Sequence, residues 1–109
     1  MKFEKVARTS DLAPGKKMKI TAGGQEILLV NIQNTYYAIA NKCPHLGGSL
    51  YDGNLENNKV ICPRHGSTFD LRTGKNIQGA RILFAKFKVD DARSFPVIVE
   101  GSDISIEVD

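Results

Sequence analysis

The sequence predicts an all-β domain, and three observations lead there. Short apolar runs alternate with clusters of Gly, Asn, Asp and Pro along the whole chain. The runs Gln25–Gln33 and Thr35–Ala40 stand so close together that they read as a hairpin. The last two, Pro96–Glu100 and Ile104–Val108, alternate apolar and polar residues, the period-two pattern of strands buried on one face.

Strands are expected in order over Phe3–Ala7, Met18–Thr21, Ile27–Ile32, Thr35–Ala40, Lys59–Cys62, Ser67–Asp70, Phe84–Val89, Val97–Glu100 and Ile104–Val108. Turn residues separate them: Ala13-Pro14-Gly15, Ala22-Gly23-Gly24, Gln33-Asn34, Gly53-Asn54, Thr73-Gly74 and Gly101-Ser102-Asp103. Gly and Asn suit these places because they tolerate the positive φ of tight turns. Pro96 stands at a strand start, where its missing N–H costs little. Val89–Ser94 carries no clear strand pattern and is expected to form a short turn or helical bend. There is no internal repeat, low-complexity segment or linker, so residues 1–109 are expected to form a single domain.

At 109 residues, with 41% apolar residues and a formal charge of +3, one compact domain is the natural reading. A chain of this size buries roughly 60–70% of the surface that it exposes when unfolded, so a metal centre tying two loops together would help it fold. Met1-Lys2-Phe3-Glu4-Lys5 has no apolar segment behind its charges, unlike a secretory signal. No run approaches the roughly 18 apolar residues of a membrane span. A soluble, cytoplasmic protein without membrane contact is expected. The basic residues are scattered among acids with no aromatic platform, which argues against nucleic acid as a partner.

Both cysteines and both histidines fall in one pattern: Cys43-Pro44-His45, sixteen residues, then Cys62-Pro63-Arg64-His65. Two thiols and two imidazoles, one of each on two loops, form a candidate metal site, and these contexts favour ligation over a disulfide. Pro44 and Pro63 fix φ beside each thiol. Gly47, Gly48 and Gly66 permit sharp turns just beyond each His. The same donor set also suits tetrahedral zinc, although structural zinc modules more often use C-x-x-C pairs.

Cys43-Pro-His-Leu-Gly-Gly48 and Cys62-Pro-Arg-His-Gly-Ser67 resemble the two cluster-binding boxes of the Rieske [2Fe–2S] family. The resemblance extends to Ser49–Glu56 between the boxes, to Phe69–Lys75 beyond them, and to Pro96–Gly101 in the closing hairpin. It implies an antiparallel β-sandwich or barrel with a two-loop cluster-binding subdomain. It further implies a [2Fe–2S] cluster with Cys43 and Cys62 on one iron and His45 and His65 on the other. Backbone N–H groups turned towards the sulfides at Gly47 and Gly66, shielding by Leu46 and a hydroxyl at Ser67 would tune its potential.

The departures point to one branch of the family. Positions equivalent to Gly48 and Arg64 are disulfide-forming cysteines in the Rieske proteins of cytochrome bc complexes; here they are not cysteines. The family's potential-raising Tyr is replaced by Phe69. The pattern is therefore similar to the soluble Rieske-type ferredoxins of ring-hydroxylating oxygenases. It implies a monomeric one-electron carrier between a reductase and a terminal acceptor such as an oxygenase, with no catalytic residues of its own. The expected potential lies at about −150 to 0 mV, the low end of the Rieske range, and falls at alkaline pH as a coordinated imidazole loses its second proton. The alternatives are a Rieske-like small subunit of a larger oxidoreductase such as a nitrite reductase, and a zinc-stabilised binding module.

Overall fold

A computed structural model describes residues 2–42, 48–63, 66–78, 80–82, 85–87 and 90–108. Among them the chain forms strands β1 (Lys2–Arg8), β2 (Lys17–Ala22), β3 (Gln25–Ile32), β4 (Thr35–Ala40), β5 (Asn54–Glu56), β6 (Lys59–Ile61) and β7 (Thr68–Asp70). Strands β8 (Asn76–Gln78), β9 (Ala80–Ile82), β10 (Ala85–Phe87), β11 (Ser94–Phe95), β12 (Val97–Glu100) and β13 (Asp103–Val108) follow. Two single 3-10 turns, Thr9–Asp11 and Leu50–Asp52, are the only helical pieces among the described residues. Every strand pair is antiparallel, as the all-β expectation requires.

Three sheets stack as layers. The outer one has the order β1-β13-β12, the central one β11-β4-β3-β2, and the third β5-β6-β7-β8; β9 and β10 form a separate pair. Strand β3 explains the stacking. Its Ile27-Leu28-Leu29-Val30 run is fully buried, so both faces of the central sheet need cover. Ile27 and Leu29 pack with Phe95, Ile104, Ile106 and Val108 on the side of the outer sheet. Leu28 and Val30 pack with Val60, Phe69, Leu71 and Cys62 on the other. Each such fully buried side chain contributes about 1.5–3 kcal/mol, and the second group of contacts fixes the small β5–β8 sheet that carries the metal-binding pattern.

The β3–β4 hairpin forms as the sequence predicts. Its register closes at Ile32↔Thr35, with Gln33 at φ 52° and Asn34 at φ 69°, a type I′ turn. The final hairpin also forms, with Val97 paired to Ile106 and Glu100 to Asp103.

Three expectations need correction. Gly53-Asn54 is not a turn: Gly53 is extended at φ −83° and Asn54 opens β5. The turn lies at Asn57, whose φ is 54°. Val89–Ser94 holds no helix among its described residues, and Ser94 starts a strand that pairs Ser94 with Ile39 and Phe95 with Ala38. The strand expected over Phe84–Val89 is described over Ala85–Phe87, paired with the unforeseen β9; Phe84, Lys88 and Val89 lie outside the described residues. Strands β5 and β8 were also missed. Each has three residues with one apolar side chain, too few to show a period, and exists because a neighbouring edge pairs with it.

Candidate metal centre

The second box grows out of the β6–β7 pair. Ile61 opposes Thr68, and the ladder continues one step beyond, with Cys62 N–H donating to Ser67 C=O at 2.7 Å. Gly66 N–H then donates to Cys62 C=O at 3.2 Å, and Thr68 Oγ1 donates to Gly66 C=O at 3.3 Å. The return of the backbone from Gly66 to Ser67 is thereby fixed against Cys62. It needs a residue at φ +75°, which Gly66 supplies with open space around it.

Cys62 is a free, buried cysteine. It shares an apolar cluster with Leu50, Val60, Phe69 and Leu71. Ser67 is 1% exposed, and its Oγ finds no hydrogen-bond partner among the described residues. An unpaired buried hydroxyl costs about 1–3 kcal/mol, and this one stands on the residue whose carbonyl accepts from Cys62. A sulfur acceptor at this place would satisfy it. The residues present therefore fit a thiolate-bound sulfur centre.

The first box is closed at its base by Asn41 and by the Lys42–Ser49 bridge. Asn41 is 1% exposed. Its Nδ2 donates to Ser49 Oγ at 2.9 Å, its Oδ1 accepts from Tyr51 N–H at 2.8 Å, and its carbonyl accepts from Leu50 N–H at 2.8 Å. From outside, Lys17 Nζ donates to Gly53 C=O and lies 5.2 Å from the centroid of the Tyr51 ring. The Leu50–Asp52 turn is thus gripped from two sides.

Strands β5 and β6 bring the chain that follows the first box beside the start of the second. Asn54 pairs with Ile61, which brings Gly53 alongside Cys62 in the same register. A Cβ at Gly53 would run into the Ile61 carbonyl oxygen, so this approach requires glycine. Of the expected ligands only Cys62 is among the described residues; Cys43, His45 and His65 lie outside them, as do Leu46 and Gly47. Gly66 and Ser67 stand at the base of the second box. Lys42 is exposed. Tyr36 and Tyr37 pack against opposite apolar layers, as adjacent strand residues should. Sequence reasoning missed Asn41, Ser49 and Lys17. The only local trace of Asn41 is a polar residue ending an apolar strand, because its partners are eight and ten residues away.

Residues 2–82 match the model of a family described as the Rieske [2Fe-2S] domain. The chain is 32% identical over its full length to the ferredoxin component of biphenyl 2,3-dioxygenase from Rhodococcus jostii (strain RHA1), covering 95% of that protein. It is 36% identical over 100 residues to the 3-phenylpropionate/cinnamic acid dioxygenase ferredoxin subunit of Shigella boydii serotype 4 (strain Sb227), covering 91% of this chain and 87% of that one. Among solved structures, the ferredoxin of carbazole 1,9a-dioxygenase from Nocardioides aromaticivorans IC177 superposes with a TM-score of 0.80 at 29% identity, over 97% of both chains.

Proposed function

The chain belongs to the Rieske [2Fe-2S] family, and from that premise we propose that Cys43, His45, Cys62 and His65 hold its cluster. It is an electron carrier, as its ferredoxin-component relatives are, and not itself an enzyme. Its cofactor is the family's [2Fe-2S] cluster. Cys43 and Cys62 would hold one iron, and His45 and His65 the other. When bound, the cluster takes up and releases one electron at a time.

The observation that carries the ligand assignment is the Cys62–Ser67 pair. A buried free thiol is hydrogen-bonded through its backbone to a buried serine whose hydroxyl has no partner among the described residues. The Cys62 side chain is kept from water by Val60, Phe69 and Leu71. The Ser67 hydroxyl would donate to a sulfur of the bound centre, which would favour its reduced, more negative state. Gly66, at φ 75°, bends the backbone beyond His65; Gly47 would do the same beyond His45, and Leu46 would shield the cluster from water.

The protein passes electrons from a reductase to a terminal oxygenase, docking by the end that carries the two boxes. The relatives' names as components of dioxygenase systems support this partner class. The whole chain works as one domain and as a monomer. Although the family match ends at residue 82, β13 pairs with β1 along its length and β11 pairs with β4, which supports the single-domain reading. The cytoplasm is the proposed location: among the described residues no helix is long and apolar enough to cross a membrane, and a reducing compartment suits ligating thiols.

EPR of the dithionite-reduced protein tests the assignment. A rhombic signal with an average g well below that of all-cysteine clusters is expected. Silence from folded protein reconstituted with iron and sulfide would sink it and bring back zinc.

A further inference from the structure

We propose that Asn41 is a positioning residue for the centre, tying together the two ends of the first ligand-bearing segment before any metal arrives. The inference rests on the assignment of Cys43 and His45 as ligands.

Asn41 stands two residues before Cys43 and makes four hydrogen bonds. Its N–H donates to Glu26 C=O at 3.1 Å and its C=O accepts from Leu50 N–H at 2.8 Å. Its side chain donates to Ser49 Oγ at 2.9 Å and accepts from Tyr51 N–H at 2.8 Å. The side-chain bonds therefore join the residue that leads into the first box to the two that follow it. The Lys42–Ser49 bridge closes the same base. Because Asn41 is buried, water does not compete for these bonds, and losing the side chain would strand the Tyr51 N–H. The backbone bond to Glu26 ties the clamp to β3, the strand buried on both faces. Holding the ends of the segment together in this way removes loop-closure entropy that metal binding would otherwise have to overcome.

The fold supplies its own control. Asn31, on the same hairpin, is equally buried and makes the same kind of bonds: Nδ2 to Leu12 C=O at 2.9 Å and Oδ1 from Asn34 N–H at 2.8 Å. It lies at the other end of β3, roughly 16 Å along the strand from Glu26. A merely structural asparagine should behave alike at either end.

The experiment compares Asn41→Leu, nearly equal in shape, with Asn31→Leu and wild type. Three readouts are taken on folded holoprotein: the EPR g-values, the midpoint potential, and the rate at which a chelator bleaches the cluster. Asn41→Leu is expected to shift the g-values and potential and to speed bleaching about tenfold. Asn31→Leu is expected to lower thermal stability comparably while leaving all three unchanged. Ser49→Ala, which breaks one side-chain bond only, should move them in the same direction by less, and it carries the test if Asn41→Leu does not fold. Hydrogen exchange on the apoprotein should find the Tyr51 amide as protected as in the holoprotein. If the position-41 and position-31 variants match in all three readouts, or the apo Tyr51 amide is unprotected, the inference is overturned. A wild-type protein without the rhombic signal overturns the ligand assignment itself.

Discussion

Ser67 and Asp70 make opposite uses of their surroundings. Ser67 Oγ is buried without a partner among the described residues, an arrangement that costs stability unless a sulfur accepts a hydrogen bond from it. Ser67→Ala should therefore lower the midpoint potential by on the order of 65–130 mV, one charge-assisted hydrogen bond's worth for a one-electron couple. Voltammetry at constant pH measures this, and the EPR signal should persist. Asp70 is fully partnered: Oδ1 accepts from Arg72 N–H at 2.8 Å and Oδ2 from Arg72 Nη2 at 3.2 Å. The side-chain hydrogen bond from Arg72 is the largest influence and holds the Asp70 carboxyl below its ordinary value, against the opposing effect of burial. A lowered native value means that the pair's stabilisation is present above the unfolded carboxyl's range. It is lost as pH falls through the native value. Between pH 6 and pH 3 the wild type should lose more stability than Asp70→Asn in urea titrations. The difference should be small, because Arg72 is half exposed.

At the scale of elements, backbone geometry at the turns decides more than side-chain identity. The β3–β4 turn places Gln33 at φ 52° and Asn34 at φ 69°, where an ordinary residue costs about 1–2 kcal/mol. Replacing the pair by Asn-Gly should raise stability by roughly 1 kcal/mol, read from denaturant midpoints with the cluster untouched. Gly53 is the contrary case. Its φ is ordinary, but a Cβ would strike the Ile61 carbonyl oxygen. Gly53→Ala should force β5 away from β6 and disturb both boxes, so cluster loss should accelerate together with unfolding. Gly66→Ala meets open space and only an unfavourable φ. It should cost about 1–2 kcal/mol, visible in the same titration.

Across the whole molecule, two apolar layers share β3 but serve different ends. The layer with Ile104, Ile106 and Phe95 joins the terminal hairpin to the central sheet. The other, with Val60, Phe69 and Leu71, holds the small sheet beneath Cys62. Ile106→Ala should lower stability by about 2–5 kcal/mol, yet leave the EPR signal of the folded fraction unchanged. Leu71→Ala, of similar cost by thermal unfolding, should also shorten the lifetime of the bound cluster. A measured potential near −150 to 0 mV would agree with the Rieske range expected for a chain with Phe69 in place of a tyrosine donor.

The sequence by itself determined what depends on near neighbours. The proposed donor set Cys43, His45, Cys62 and His65 can be picked out in the sequence because its members lie in two short boxes. The β3–β4 hairpin was legible because its turn and both apolar runs are contiguous. Tertiary structure alone decided what depends on residues far apart in the chain. Strand β13 sits between β1 and β12, and two-residue β11 is a strand only because Ile39 and Ala38 pair with it. Gly53 comes beside Cys62 because Asn54 meets Ile61, and Asn41 becomes a clamp because β3 and the Leu50–Asp52 turn come to it. Local patterns record propensity and donor chemistry, whereas burial and non-local pairing arise only when the layers close, and in this protein that closure buries Cys62 and Asn41.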